Sequence, residues 1–550
     1  MGEYGEYLFE FSLLCVHSKV DKFDHLEISK SLKEIIRKKA KNLHFSNPEL
    51  DGNTKKKRFS FGFYLIFRIF AIKDEKTDYI MKQIALLLLC AALAVGIKAA
   101  DYKQYYADLP TPVKAVEPVT IPNNAVSLAD YGGVPDGVTL NTEAFGKAIA
   151  ELEKQGGGRL VVPQGVWLTG PIELKSNIEL RLDRNAIIYF SPDKRLYLSA
   201  DSKSKRVSPC ISATKCRNIA ITGEGVIDGN GQQWRPVKRS KMSDVEWKQY
   251  LGMGGQVTEK GDLWYPWQMK NGYPDIAADA KAQEGMRNDL LRLEQCENIL
   301  LQGVTFQNSP RFHVHPCYSR NIIIDGITVR CPWNVQNGDG IDLSDCHQAL
   351  IVRSTVDVGD DGLCMKSGSQ KKGWDVWGCQ DIVIQDNTVF HAHGGFVLGS
   401  ETVGGIRDMV VRRNRFLGTD VGLRFKSGVG RGGRTERMFI SDIVMADIKD
   451  EAISFQCDYV NRAAGDDGKD PVITDEMRRL SPQFQDIHIK NVVCRGCQTG
   501  IQAGGIKGLD CVKDIDISDC SIVYDKTAQS VDETTAKLRL QRVVLTPSTR

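Results

Sequence analysis

ENILLQGVTF from Glu297, RNIIIDGITV from Arg320, QALIVRSTVDV from Gln348, QDIVIQDNTVF from Gln380 and RDMVVRRNRF from Arg407 are five versions of one phrase. The steps between them are 23, 28, 32 and 27 residues. Each phrase opens on a polar residue, alternates apolar and polar positions, turns, and alternates again. A period of two in short runs marks strands. Copies at this spacing without helical spacers mark a solenoid of the all-β class. One coil cannot bury its own inner face, so coils must stack, with neighbouring strands about 4.8 Å apart. The phrase extends outward in both directions. SNIELRL from Ser176 and RNIAITG from Arg217 lie upstream, with RMFISDIVMADI from Arg437, QDIHIKNVV from Gln485 and KDIDISDCSI from Lys513 downstream. Before the first copy, TEAFGKAIAELEKQ (142–155) reads as an amphipathic helix with Thr142 as its N-cap, stopped by Gly156-Gly157-Gly158. Such a helix would cover the first coil. The polar tail beyond residue 530 suggests no element.

The chain carries 72 Lys+Arg against 69 Asp+Glu over 550 residues, a net charge of +3, which argues against nucleic acid as the main partner. Residues 1–80 hold 15 basic and 12 acidic side chains, so residues 81–550 balance at 57 and 57. MKQIALLLLCAALAVGIKAA, 81–100, has the order of a secretory signal: a Lys after Met, an apolar run from Ile84 to Ile97, and small residues at Ala99 and Ala100. The run is short of the roughly 20 residues that span a membrane. We therefore read 1–80 as an upstream extension outside the fold, 81–100 as a signal peptide, and 101–550 as one domain, exported to the periplasm or beyond the cell. Thirteen cysteines fall in that domain, dispersed and odd in number. Cys494 and Cys497 lack a second pair at zinc spacing, so they read as small buried apolar groups.

Residues 228–285 interrupt the repeat, and seven of the eight tryptophans lie between Trp234 and Trp377. Aromatic faces stack on sugar rings and also fill cores. Four polar clusters break the apolar pattern further on: Asn337-Gly338-Asp339-Gly340, Gly359-Asp360-Asp361-Gly362, His393-Gly394-Gly395 and Arg424-Phe425-Lys426. Asp339 to Asp361 is 22 residues, and the next steps, to His393 and Arg424, are 32 and 31. Each step is about one coil, so stacking would gather the clusters on one face. Single Asp-Gly pairs are ordinary turn residues; four clusters in register are not. Adjacent Asp360 and Asp361 repel when both are ionised, which raises one pKa and supplies a proton donor. Arg424 and Lys426, two apart on a strand, point the same way and suit a carboxylate on a substrate.

The order NxDG, GDDxxxxKSG, HGGxxxGSE and RxKS from Asn337 to Ser427 resembles family 28 glycoside hydrolases, the polygalacturonase family. YGGVPDGVTLNTEAF from Tyr131, GGGRLVVPQGVWLTGPIELKSN from Gly156, NSPRFHVHP from Asn308 and FQCDY from Phe455 carry the same resemblance, which spans roughly residues 125–520. It implies a right-handed parallel β-helix that hydrolyses galacturonan with inversion, without metal or other cofactor. It also implies roles. Asp360 would be the general acid, Asp339 and Asp361 the pair activating water, and His393 the group tuning the acid. Asn337, Gly394, Arg424, Lys426 and Tyr459 would hold the sugar. Gly338 stands where the family usually has Thr, and Ala392 where it has Gly or Ser.

The expectation is thus an exported, monomeric hydrolase of α-1,4-galacturonosidic bonds in pectin, acting from chain ends. Its partner is a galacturonic-acid polysaccharide, with no nucleic acid and no membrane once the signal is removed. The motive for end attack is the 228–285 insertion, whose bulk and basic Arg235, Lys238, Arg239 and Lys241 could close one end of the groove. A polysaccharide-binding β-helix without activity and a calcium-dependent lyase are the competing classes; a lyase would leave an absorbing unsaturated product. If translation starts at Met81, mass spectrometry of the exported protein will give an N-terminus near residue 100 and no peptide from residues 1–80.

Overall fold

A computed structural model describes residues 102–198, 207–266, 284–368, 378–429, 431–459, 474–479 and 481–549. Residues 81–100 and the start at Met81 lie outside the described residues, as do Trp267, Trp374 and Trp377. The repeated phrase forms one 33-stranded sheet wound on itself, every adjacent pair within it parallel. A coil contributes three strands, for example Val314–Cys317, Arg320–Asp325 and Thr328–Arg330. The next coil repeats them as Ile341–Ser344, His347–Val352 and Thr355–Asp357. Chain-order neighbours are therefore not partners; each strand pairs with its equivalent one coil away. This is a parallel β-helix.

Two features of the phrase fix that register. Inward positions stack like on like: Ile299, Ile322, Ala349, Ile382, Met409 and Met438 form one column. All are buried, so a slip of one residue would turn the column out of the coil interior. The polar second residue of the phrase turns the corner. Asn298, Asn321, Gln348, Asp381 and Asp408 all have φ between 56° and 60° or within a few degrees of it, with Asn321 at 54°. That left-handed region is tolerated best by Asn and Asp among residues with a Cβ. The corner asparagines also bond to one another. Asn321 Nδ2 donates to Asn298 Oδ1 at 2.8 Å, Asn298 to Asn218 at 2.8 Å, and Asn218 to Asn177 at 2.7 Å. A second ladder runs through the interior, where Asn387 donates from both its backbone N and its Nδ2 to Asn414 Oδ1 at 3.0 Å. The third phrase begins one residue earlier than the apolar pattern suggests, since His347 pairs with Arg320 and Gln380.

The helix is Thr142–Lys154, and it buries Ala144, Phe145, Ala148, Ile149 and Leu152 in the core at the first coils. Its N-cap is Asn141 rather than Thr142. Asn141 spends its side chain on the backbone of Val134, Thr139 and Leu168, while Thr142 Oγ1 accepts from the Gly170 N–H at 2.6 Å. The tail also differs from expectation. Ser521–Val531, Ala536–Gln541 and Val544–Pro547 continue the coils. Most of their side chains are exposed or half-exposed, so polar residues are tolerated there and the apolar alternation is weak. Eleven of the thirteen cysteines are buried, Cys494 and Cys497 included, all as free thiols.

The interruption begins after Val226–Asp228, which still pairs with Thr305–Gln307. The coil resumes at Leu291–Glu294, paired with Ile211–Thr214. Between them, Val237–Lys238, Leu263–Tyr265 and Gln256–Val257 make a small antiparallel sheet beside the helix Asp244–Gly252. Ser243 and Glu246 close that helix with a reciprocal capping box.

The corner ladder predicts an ordered pair of effects. Asn298→Ala should cost about 2–3 kcal/mol, from a strained φ and a broken ladder. Asn298→Gly keeps the backbone conformation and should cost about 1 kcal/mol less. Urea denaturation of the two variants measures the difference.

Candidate active site

Stacking brings the four polar clusters together on the outer face of one sheet. Asp361 begins Asp361–Ser367 and pairs with Gly394 of Gly394–Thr402. Leu423 and Phe425 turn inward, where Phe425 stacks on Phe455 at 4.3 Å, so Arg424 and Lys426 turn outward together. Gly394 has little room for a side chain: a Cβ there would lie 2.5 Å from Val397 Cγ2 and 3.4 Å from Arg424 Cδ. One oxygen each of Asp339, Asp360 and Asp361 falls within 4.8 Å of the others.

The three carboxyl groups differ in surroundings. Asp360 is the half-buried one. Its Oδ2 accepts from the backbone N–H of Asn337 at 2.9 Å and its Oδ1 from that of Asp361 at 3.1 Å. Asp361 is buried, and burial alone would raise its pKa. Lys426 at 2.7 Å outweighs burial, helped by Lys366 at 4.0 Å and Arg424 at 3.5 Å, and holds the group well below the ordinary carboxylate range. Asp339 goes the other way: burial raises it well above that range, and nearby Asp342 adds to the effect. The raised carboxyl is therefore not produced by repulsion between the adjacent pair Asp360 and Asp361. Asp339 Oδ1 and Asp361 Oδ1 are buried and lack a hydrogen-bond donor among the described residues.

Two groups that the sequence reading left without a role hold this arrangement. Lys366, in the KSG segment, puts its ammonium 3.1 Å from Asp339 Oδ2 and 2.9 Å from Asp342 Oδ1. Burial disfavours that charge, yet Asp342, Cys364 and Asp339 keep its pKa raised. Asp420 accepts from His393 Nδ1 at 2.7 Å and from Lys449 at 2.8 Å. Burial works against its ionisation, but the two donors hold it at about 2. The His393 backbone N–H in turn donates to the Asp360 carbonyl at 2.9 Å. Asn337 has φ 50°, and its Oδ1 accepts from the buried Arg287 at 3.0 Å. Tyr459 is 38% exposed, with Lys426 5.2 Å and Arg424 5.6 Å from its ring centroid. Three carboxylates this close resemble a cation site, but Lys366, Lys426 and Arg424 already supply positive charge there.

Of the insertion's basic residues, Lys241 comes to the site, its ammonium reaching the Gly359 carbonyl at 3.4 Å. Arg235 is buried and donates to Ser309 O and Asn308 Oδ1 at 2.6 and 2.8 Å, and Arg239 pairs with Asp244. Trp234, Trp247 and Trp264 are buried as well, so they fill the protein instead of facing a sugar. Trp333 is 57% exposed.

Residues 255–538 match the family model for glycosyl hydrolases family 28. The chain belongs to that family. It is therefore a glycosidase. A probable polygalacturonase of Vitis vinifera is 30% identical over 70% of this chain and 71% of its own length. An exo-poly-α-D-galacturonosidase of Dickeya chrysanthemi is 27% identical over 71% of this chain and 65% of its own. A solved exopolygalacturonase of Thermotoga maritima superposes with a TM-score of 0.62 at 31% identity, covering 81% of this chain and 96% of that one.

Lys366→Met would leave Asp339 and Asp342 buried without their cation. At pH 7 this should cost about 3–5 kcal/mol. The cost comes only from the ionised forms, and both acids have raised folded pKa values. It should therefore shrink as pH falls toward about 4, near the unfolded value. Denaturant midpoints of wild type and variant across that range measure it.

Proposed function

We propose that this glycosidase hydrolyses α-1,4-galacturonosidic bonds of pectin with inversion, acting from chain ends. The observation that carries this reading is three carboxyl groups of different character converging beside Arg424, Lys426 and Tyr459. Asp360, on the half-open rim, gives its proton to the glycosidic oxygen as the bond to the anomeric carbon breaks. Water attacks that carbon from the opposite face, and its proton passes to Asp361, which Lys426 keeps ionised. Asp339 shares the water through Oδ1. His393, held by Asp420, steadies the acid's side of the site. Arg424 and Lys426 offer charge to a substrate carboxylate while holding Asp361, and Asn337, Gly394 and Tyr459 shape the same sugar position.

The carboxyl separation does not itself argue for inversion. Inverting pairs usually stand roughly 6.5–9.5 Å apart, and these oxygens lie within 4.8 Å. Inversion is proposed from the family resemblance. End attack is supported by the insertion, whose Lys241 reaches Gly359 beside the acid, and by relatives named as exo-acting. The domain is proposed to be exported behind the 81–100 signal, with residues 1–80 no part of it, and to act as a monomer on galacturonan with no metal, cofactor or nucleic acid.

Proton NMR of the first product should show the β anomer before mutarotation; the α anomer would reject inversion. Early digestion should release mono- or digalacturonate with slow viscosity loss, whereas a ladder of oligomers would reject end attack. Asp360→Asn should lower kcat by about 10³-fold or more with the fold intact.

A further inference from the structure

The segment GDDGLCMKSG, from Gly359, carries a cysteine between Asp361 and the cation Lys366. Cys364 lies on the strand Asp361–Ser367. Leu363 and Met365 of that strand enter the coil core, so Cys364 and Lys366 share its outward side. In the stack, Cys364 sits between Asp342 of the preceding coil and Val397 of the next. All three are fully buried, so the thiol belongs to the floor beneath the carboxyl cluster.

The Lys366 ammonium has three hydrogens to place. It donates to Asp339 Oδ2 at 3.1 Å and to the Cys364 sulfur at 3.0 Å, and it pairs with Asp342 Oδ1 at 2.9 Å. Asp361 Oδ2 stands farther off, at 4.0 Å, and accepts from Lys426 at 2.7 Å. The thiol's own hydrogen has the Gly399 carbonyl at 3.4 Å and Asp361 Oδ2 at 3.7 Å within reach. Burial holds the thiol well above its ordinary pKa, although Lys366 pulls the other way. The sulfur is therefore a neutral acceptor. It takes a hydrogen from the cation and adds no charge to a cluster that already holds Asp339, Asp342 and Asp361. An apolar side chain there would leave a buried N–H unsatisfied and free to turn toward Asp361. A second observation concerns the carboxyls themselves. Asp339 and Asp361 are 3% and 2% exposed, and Oδ1 of each lacks a hydrogen-bond donor among the described residues. Each is tied through Oδ2, with Oδ1 left to accept from water.

We propose that Cys364 is a positioning residue for the hydrolysis. Its thiol occupies one hydrogen of Lys366, which keeps that cation on Asp339 and Asp342 and leaves Asp361 Oδ2 to Lys426. Both carboxyls then present Oδ1 to the attacking water. The inference rests on the hydrolase reading above and adds to it a group that touches neither sugar nor water.

The test compares Cys364→Ser, Cys364→Ala and Cys364→Val, by kcat and KM on trigalacturonate and by urea midpoint. Ser keeps an acceptor but not the volume of sulfur, Val fills the volume without an acceptor, and Ala lacks both. Ala and Val should each lower kcat about tenfold with KM within about twofold of wild type, and Ser should recover most of that loss. Three results would overturn the proposal: Ser no better than Ala, Val equal to wild type, or a loss confined to KM. If Val does not fold, Ala against Ser carries the comparison. Wild type that leaves trigalacturonate intact would reject the galacturonan reading instead. The thiol contact is then decided by the urea midpoints, where Ala below Ser supports it and equal midpoints overturn it.

Discussion

Strict register between stacked coils is the constraint on which the rest of this protein depends. Parallel pairing sets strands about 4.8 Å apart, and each strand aligns with its equivalent one coil away. Residues some 20 to 30 apart in sequence then become vertical neighbours. Two columns keep that alignment: the buried aliphatic stack that includes Ile299, Ile322 and Ile382, and the corner ladder of Asn177, Asn218, Asn298 and Asn321. The first resists slippage through burial. The second does so through donor–acceptor pairs that exist only in one register.

The site is a by-product of the same geometry. Once Leu423 and Phe425 are committed to the interior, alternation sends Arg424 and Lys426 outward, with Arg424 stacked on Val397 and the Lys426 ammonium reaching Asp361 at 2.7 Å. A buried carboxylate is costly unless paired, and Asp361 has Lys426, Lys366 and Arg424 around it. Asp339 shares Lys366 with Asp342 and ends with a raised pKa. Two carboxyl groups on adjacent coils are thus pushed in opposite directions by their neighbours. Of the two that face the water in the proposed reaction, Asp361 is thereby kept as the ionised base.

The interruption of the coil adds what regular coils do not supply. A β-helix groove repeats the same three faces and has open ends. The segment after Asp228 brings its own small sheet and a capped helix, and it delivers Lys241 to the turn that carries Asp360. Of its described tryptophans, Trp247 and Trp264 pack within that small unit and Trp234 joins the main core. Among the described residues the exposed tryptophan is Trp333, in a turn of a regular coil.

The repeating phrase determined the fold class, the coil spacing and the convergence of the polar clusters. Those follow from local alternation and from residues such as Asn298 and Asp381, whose side chains suit the left-handed corner. The family motifs likewise lie in the sequence itself. What only the tertiary structure decided concerns partners that no spacing reveals. Thr142 looked like a cap until Asn141 took the position through contacts to a distant strand. Arg235 and Arg239 looked like substrate cations until Ser309, Asn308 and Asp244 claimed them. Lys366, though inside the GDDxxxxKSG motif, and Asp420 had no role legible in the sequence, because their importance lies in which carboxylate or imidazole sits 3 Å away. Burial and pairing, which set the charge of an ionisable group, are properties of its surroundings in space, and a sequence lists neighbours only along the chain.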